Sequence, residues 1–385
     1  MRLRSGDLVL PRCSPWSTRR HFTTSGLRNP FKILFLGRDE FSCAVFEELH
    51  RSRDVWETLV VATNPDTYLG HSPLDFQAHF LSHVAPLRPL AQSLQVPVHF
   101  IPPEKSRFKY WEPPSPFSVT SPDHVMITAS FGRILTPAQL DLFPPAGRLN
   151  VHGSLLPAYR GPAPIQRAIM NDETRTGVSI AQMLKRGVDK GPIWGTADIP
   201  ISPDATFTSL RSNLADLGGR LLVTVLRDML AGTAKSHPQP PESPTQHARS
   251  IAAVDAILDF STMTAEDIVT RHRAIGHQRA LTTWMPSGTR LLIYDPVVAH
   301  PAFIPPKLSG VPGALMYHKP TRTLAIRCAL GTVLTVPRVK KERRSTLEAR
   351  EFWNGVVPNS ALLVRGELRL VRLEGAALEL GGSDK

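Results

Sequence analysis

The sequence predicts an α/β domain built on a mostly parallel, Rossmann-like sheet, followed by a small OB-like β-barrel domain. Three observations predict it. Between residues 29 and 231, short apolar runs alternate with segments whose apolar residues recur at helical spacing, the pattern of strand–helix–strand units. A stretch at 232–250, with Pro238, Pro240, Pro241, Pro244 and few apolar residues, interrupts that alternation and reads as a stiff linker. In 251–376, short β patterns separated by Gly and Pro turns follow one another, as in a small barrel. Residues 377–385 read as a tail.

In chain order, Phe31-Lys32-Ile33-Leu34-Phe35-Leu36 is an apolar run ended by Gly37, the mark of a buried strand. Ser42 is the expected cap of a helix carrying Val45, Phe46 and Leu49. Thr58 to Ala62 predicts a second strand, stopped by Asn64-Pro65-Asp66, and Val96 to Phe100 a third. Pro102 to Pro122 is proline-rich and predicts a surface insertion. Asp123 to Phe131 is another apolar strand leading to Gly132, followed by an amphipathic segment from Thr136 to Leu142. Pro162 and Pro164 suit the first turn of a helix through Ile165, Ala168 and Ile169. Gly177 to Met183 and Ile193 to Ile199 form a hairpin. From Thr206, a cap, Leu210, Leu214, Leu217, Leu221, Val225 and Leu226 recur on one helix face as far as Leu230. In the last third, β patterns stand at Thr289–Tyr294, Thr323–Ala329, Thr332–Val336 and Leu362–Leu373.

Composition bounds the function. The chain has 385 residues, 42% hydrophobic and 20% charged, ordinary for a soluble globular protein, and no apolar run long enough to span a membrane, so no membrane partner is expected. Cys13, Cys43 and Cys328 are scattered and show neither metal-ligand nor disulfide spacing, which suits a reducing compartment and predicts no metal site. Gly37-Arg38-Asp39 lacks the later glycines of a dinucleotide fingerprint, so NAD is not expected. Nothing in the sequence sets the oligomeric state.

The net charge of +12 is unevenly placed. Residues 1–28 carry six arginines against Asp7 alone, with many Ser and Thr and no long apolar core, the composition of a mitochondrial transit segment that addresses a protein to the matrix. Residues 29–300 are neutral overall, and 301–385 hold the remaining excess. Its densest cluster is Arg338, Lys340, Lys341, Arg343 and Arg344. Such a cluster could contact the phosphates of an RNA, or could be a solvated turn; charge alone favours neither.

The chemistry is concentrated in Leu149-Asn150-Val151-His152-Gly153 and in Gly187-Val188-Asp189-Lys190-Gly191. In an extended segment Asn150 and His152 share one face, leaving Leu149 and Val151 to a core. Gly153 lets the chain turn at once after the histidine. An amide donor and an imidazole thus stand side by side at a strand end, within reach of a carboxylate on the next loop. Attack on a carbonyl carbon builds negative charge on its oxygen, and an aimed N–H stabilises it. An attacking amine must lose a proton and a leaving nitrogen gain one, and histidine can serve either need. Ser154 follows closely but lacks the Gly-x-Ser-x-Gly elbow of a serine hydrolase. On spacing alone, His152 could equally be a structural residue and Asp189 a turn former.

Asn150-Val151-His152-Gly153-Ser154-Leu155-Leu156-Pro157, then Tyr159-Arg160-Gly161-Pro162-Ala163-Pro164-Ile165-Gln166, then Val188-Asp189-Lys190-Gly191 resemble the 10-formyltetrahydrofolate-dependent formyltransferases, and within them the branch acting on methionyl-tRNA. The resemblance implies Asn150, His152 and Asp189 as catalytic residues, and Ser154, Leu155, Leu156 and Pro157 as contacts of the folate. It implies 10-formyltetrahydrofolate as cosubstrate and initiator methionyl-tRNA as partner, with the C-terminal basic residues on the RNA. Lys190 stands where the family usually has Thr. Bacterial members carry a dense basic loop where residues 64–90 here have Asn64, His71, His79, His83 and Arg88. Two other readings stay open: a formyltransferase acting on another amine, and a noncatalytic RNA-binding relative.

Overall fold

The computed structural model describes residues 29–65, 67–68, 82–83, 85–240, 247–356, 363–364 and 366–372. Residues 1–28, where a transit segment is expected, His71 and His79, positions 241–246 of the expected linker and the expected tail 377–385 lie outside the described residues.

The first half is built on a seven-stranded sheet. Strand β1 (Phe31–Leu36) leads to helix α1 (Glu40–Arg51), then β2 (Trp56–Thr63). A short ribbon, β3 (Thr67–Tyr68) and β4 (Ser82–His83), precedes α2 (Leu87–Ser93) and β5 (Val98–Phe100). After α3 (Lys105–Phe108) come β6 (His124–Ala129), α4 (Pro137–Asp141), β7 (Arg148–His152) and α5 (Pro164–Met170). The hairpin β8 (Arg175–Gln182) and β9 (Ile193–Pro200) leads to the long α6 (Phe207–Ala231). The order is β5-β2-β1-β6-β7-β8-β9. Neighbours are parallel as far as β7, whereas β8 and β9 run antiparallel. The expected mostly parallel Rossmann-like sheet is thus present.

Helices α1 and α6 cover one face. There Ile33, Phe35, Val45, Phe46, Leu149, Val151, Leu214 and Leu222 form one buried cluster. Gly218 permits a close approach: a Cβ there would stand 2.9 Å from a Val151 methyl, so α6 seats directly against the strand that bears Asn150 and His152. The other face is covered by the proline-rich segment, which corrects the expectation of a surface insertion. Phe108 and Phe117 from that segment are buried with Leu34, Leu36, Met126 and Phe143. A parallel sheet needs both faces covered, and these aromatic side chains supply the second layer. A second correction concerns α1. Its cap is Asp39, whose carboxylate accepts the Ser42 N–H at 3.1 Å, while the Ser42 hydroxyl donates to the Asp39 carbonyl at 2.6 Å.

The C-terminal part begins with α7 (Ala265–Ile275). It continues through β10 (Leu281–Trp284), β11 (Arg290–Tyr294), β12 (Val297–Val298), β13 (Ala314–His318), β14 (Thr323–Arg327), β15 (Val333–Val336), β16 (Arg338–Lys341) and β17 (Thr346–Glu348). Then come α8 (Ala349–Val356), β18 (Leu363–Val364) and β19 (Glu367–Arg369). These strands make two antiparallel sheets, β10-β11-β16-β17 and β12-β15-β14-β13-β19-β18. A bridge between Trp284 and Val371 ties them into a small barrel-like domain.

The segment at 232–250 is not a free tether where it is described. His237 exchanges backbone hydrogen bonds with Ile193 at 2.8 and 2.9 Å, and the Ala248 N–H donates to the Arg160 carbonyl at 2.8 Å. Just beyond, Arg167 of α5 grips Asp255 at 3.0 and 2.8 Å, and Arg249 adds contacts at 2.8 and 3.3 Å. The two halves are therefore joined by backbone pairing and by a buried ion cluster.

Candidate active site

The site lies at the carboxyl end of β7, where parallel sheets open their ligand crevice. Register puts Thr128 of β6 beside Asn150, and Ser179 of β8 beside His152. Leu149 and Val151 enter the α1/α6 core, so Asn150 and His152 face the other way, as the period of two requires. The Thr128 hydroxyl donates to Asn150 Oδ1 at 2.7 Å. That bond fixes the amide, leaving Nδ2 to point at Asp189 Oδ1, 3.2 Å away.

Asp189 sits on the loop of the β8–β9 hairpin. Its φ of 54° is in the left-handed region, which Asp tolerates better than most residues. The loop closes tightly at Gly191, where a Cβ would come within 1.8 Å of the Gln182 carbonyl oxygen. Asp189 Oδ2 accepts the Gly161 N–H at 3.1 Å and lies 3.8 Å from His152 Nδ1. The structure thus brings Asn150, His152 and Asp189 together, with the carboxylate between the other two.

His152 is buried, and its Nε2 lies 3.0 Å from the carbonyl oxygen of Tyr159. A carbonyl has no proton to give, so Nε2 is the donor, and Nδ1 is the nitrogen turned to Asp189. Tyr159 is itself anchored: its hydroxyl donates to Glu173 at 2.6 Å and accepts from Asn171 at 3.0 Å. Burial, and then the bond to Glu173, push its phenol up to about 12. Burial also pushes the Cys43 and Cys328 thiols up to about 12, which leaves neither a ready nucleophile.

The turn at 154–157 divides its expected folate contacts. Ser154 is buried, and its hydroxyl donates to the Ala158 carbonyl at 2.6 Å; Leu156 is also buried. Both hold the turn, together with Ser179, whose hydroxyl donates to the Ser154 carbonyl at 2.8 Å and accepts the Leu156 N–H at 3.0 Å. Leu155 and Pro157 keep partly exposed surface for a ligand. At the same sheet edge, Thr63 Oγ1 and Asn64 Oδ1 are buried with no hydrogen-bond partner among the described residues. Between the start of α5 and the C-terminal domain lies a cavity of about 450 Å³, lined by Pro162, Gln166, Ile251 and Gln278 among others. It begins one residue from Gly161, the donor to Asp189.

Both parts of the chain match known families: residues 114–226 match formyl transferase, and residues 250–357 match formyl transferase, C-terminal domain. Over 337 residues the chain is 33% identical to the mitochondrial methionyl-tRNA formyltransferase of Mus musculus, covering 85% of this chain and 78% of that protein. The chain belongs to the methionyl-tRNA formyltransferase family. It is 32% identical to the mitochondrial enzyme of Homo sapiens over 333 residues, covering 85% and 78% of the two chains. The methionyl-tRNA formyltransferase of Janthinobacterium sp. (strain Marseille) is 32% identical over 327 residues, covering 84% of this chain and 97% of its own. Among solved structures, a sugar 3N-formyl transferase with dTDP and 5-N-formyl-THF aligns with a TM-score of 0.53 at 15% identity, covering 82% of this chain and 99% of its own. At that identity it shows a shared fold.

The C-terminal basic residues lie on β16 and the turn after it. Arg338 is ion-paired with Asp295, and the Lys341 ammonium stands 5.2 Å from the Phe352 ring centre. Lys340 is half-buried, and Arg343 and Arg344 are exposed at the turn. Sequence reasoning missed several parts of the site: Thr128, Ser179, the Tyr159 carbonyl, the Gly161 N–H, and Gln239, whose amide donates to the Asp189 and Gly191 carbonyls at 2.8 and 2.7 Å. Arg160 and Gly161 could have been found within the Tyr-Arg-Gly-Pro run. Gln239, between two prolines, carried no signal.

Proposed function

We propose that this enzyme transfers the formyl group of 10-formyltetrahydrofolate to the α-amino group of methionine on initiator tRNA in the mitochondrial matrix, with Asn150, His152 and Asp189 as its reacting centre. The observation that carries the chemistry is the meeting of an oriented amide, an imidazole and a carboxylate at the β7 edge. Similarity to methionyl-tRNA formyltransferases across both domains carries the choice of acceptor. The mitochondrial relatives support the organelle, and the basic, hydroxyl-rich first 28 residues support entry to the matrix.

The residues present fit the formyl donor. Leu155 and Pro157, both partly exposed beside the site, offer apolar surface to a flat ring. When bound, 10-formyltetrahydrofolate supplies the formyl carbon, and the folate nitrogen is the leaving group. Asn150 Nδ2 donates to the charge growing on the formyl oxygen. His152 keeps its Nε2 proton on the Tyr159 carbonyl, so every proton it exchanges with reactants passes through Nδ1. Asp189 accepts from the Asn150 amide at 3.2 Å and faces His152 Nδ1 from 3.8 Å, the side on which the imidazole takes the amine's proton. The amine loses one proton and the departing nitrogen gains one, so His152 ends as it began.

The test is formyl transfer by purified enzyme to Met-tRNA, uncharged tRNA, glycinamide ribonucleotide and an amino-sugar nucleotide. Formyl on Met-tRNA alone supports the proposal. Transfer only to a small amine refutes the acceptor and keeps the chemistry. No transfer to any acceptor, by folded protein that binds RNA, refutes both.

A further inference from the structure

The catalytic carboxylate is braced by the segment that joins the two domains. Within His237-Pro238-Gln239-Pro240, Gln239 alone turns inward and is half-buried, while its three neighbours are exposed. Its amide uses its full bonding capacity. Nε2 donates to the Asp189 carbonyl at 2.8 Å and to the Gly191 carbonyl at 2.7 Å. Oε1 accepts from Arg160 Nε at 3.1 Å and from Arg160 Nη2 at 2.6 Å. Arg160 is buried, and its Nε also reaches the Asp189 carbonyl at 3.2 Å. Two carbonyls and one guanidinium are therefore tied by a single side chain from 79 residues away from Arg160.

The loop needs such a tie. Gly187 and Asp189 both have positive φ, at 87° and 54°. A non-glycine residue in that region is held there by its surroundings rather than by preference. The loop residues 184–188 are exposed, so packing contributes little. Only an amide presents two donors to converging carbonyls and an acceptor to a guanidinium at once. The backbone pairing of His237 with Ile193 places it at the right height.

We propose that Gln239 is a positioning residue for the transfer reaction: it sets the Asp189 loop, and the interdomain segment is part of the active site. This rests on the reading of Asp189 as a member of the reacting centre. Gln239 touches no reactant and acts through the backbone of residues 189–191.

The experiment is a double-mutant cycle on the full chain, read by single-turnover formyl transfer to Met-tRNA. Gln239→Met removes all four bonds with little change in volume. Gln239→Glu keeps the acceptor for Arg160 and loses both donors. Each is expected to lower kcat about 10- to 100-fold, the scale of a misplaced catalytic group, with the KM for 10-formyltetrahydrofolate changed less than about twofold. Hydrogen exchange at residues 186–191 is expected to speed up in both. In an Asp189→Asn background, Gln239→Met is expected to lower the remaining rate less than about threefold, because the group being positioned is already lost. An unchanged kcat in Gln239→Met, or an equal loss in both backgrounds, overturns the brace. Full rate in Asp189→Asn overturns the catalytic reading, and the brace with it. Full rate in Gln239→Met beside a dead Asp189→Asn overturns the brace alone.

Discussion

Replacing Asn150 by Ala removes the side-chain amide that the structure aims at Asp189 and the reacting centre. Thr128 holds Oδ1 at 2.7 Å, so Nδ2 faces the site and Asp189 rather than the protein interior. Losing one such oriented donor costs about 2.7–4 kcal/mol of barrier, or about 10²- to 10³-fold in kcat. Asp189 keeps the Gly161 N–H, so its loop stays placed. The Thr128 hydroxyl loses its best acceptor, which costs about 1–2 kcal/mol of stability and leaves the fold intact. Asn150→Asp keeps the Thr128 contact but puts a second carboxylate at the 3.2 Å position beside Asp189. At an effective dielectric of 20 that repulsion is about 5 kcal/mol, enough to force a proton onto the pair or the loop outward. Thr128→Val removes the hydroxyl that orients the amide and is expected to slow transfer by about fivefold. The assay is single-turnover formyl transfer at saturating folate, with folate affinity measured separately. An Asn150→Ala rate within threefold of the parent would refute the assignment of Asn150 as the oxyanion donor.

The ion cluster between the halves predicts a stability effect. Burial alone would raise the Asp255 pKa, but the Arg167 bonds, the Ala252 N–H and Arg249 together hold it below the ordinary carboxylate value. A depressed folded-state pKa gives stability that is full above the unfolded pKa of about 3.9 and is lost as pH falls through the folded one. Arg167→Met is therefore expected to lower the unfolding free energy by about 3 kcal/mol, near the low end for a broken buried pair because Arg249 remains. In urea titrations, the gap from wild type should be flat from about pH 5 to 8 and should shrink below about pH 4. At the barrel, Arg343→Ala and Arg344→Ala are each expected to weaken tRNA binding and reduce the salt dependence of binding by about one unit of log–log slope. Filter binding at several KCl concentrations reads this, and an unchanged slope would assign both arginines to solvent.

The layout of the candidate site was legible from local periodicity, while the roles given to its residues came from the family resemblance. Leu149-Asn150-Val151-His152 declares its two faces through the period of a strand, and Asp189 stands out between glycines. The long α6 was legible from its leucines, because helical spacing over 25 residues outweighs any local ambiguity. What was hidden is what depends on distant pairing. Gln239 looks like one polar residue in a proline-rich stretch until the segment folds back on β9. Phe108 and Phe117 sit among prolines that read as surface, yet the uncovered sheet face draws them in. Ser154 reads as a ligand contact, but β8 places Ser179 where the turn can be pinned by two hydroxyls. Strand β16 was masked by its own charge, since only Val339 among Arg338–Lys341 is buried. The β10 strand at Leu281–Trp284 was too short to register by alternation and is set by its ladder with β11.

The central claim is that His152, working through Nδ1 beside Asp189, moves the proton during formyl transfer. The most direct measurement is the single-turnover rate of formyl transfer to Met-tRNA for wild type and His152→Ala, with both substrates saturating and folate binding followed in parallel. The account predicts a loss of about 10²- to 10⁴-fold in rate, the range of general acid–base catalysis, with folate binding nearly unchanged. A His152→Ala enzyme that transfers formyl at close to the wild-type rate would contradict it.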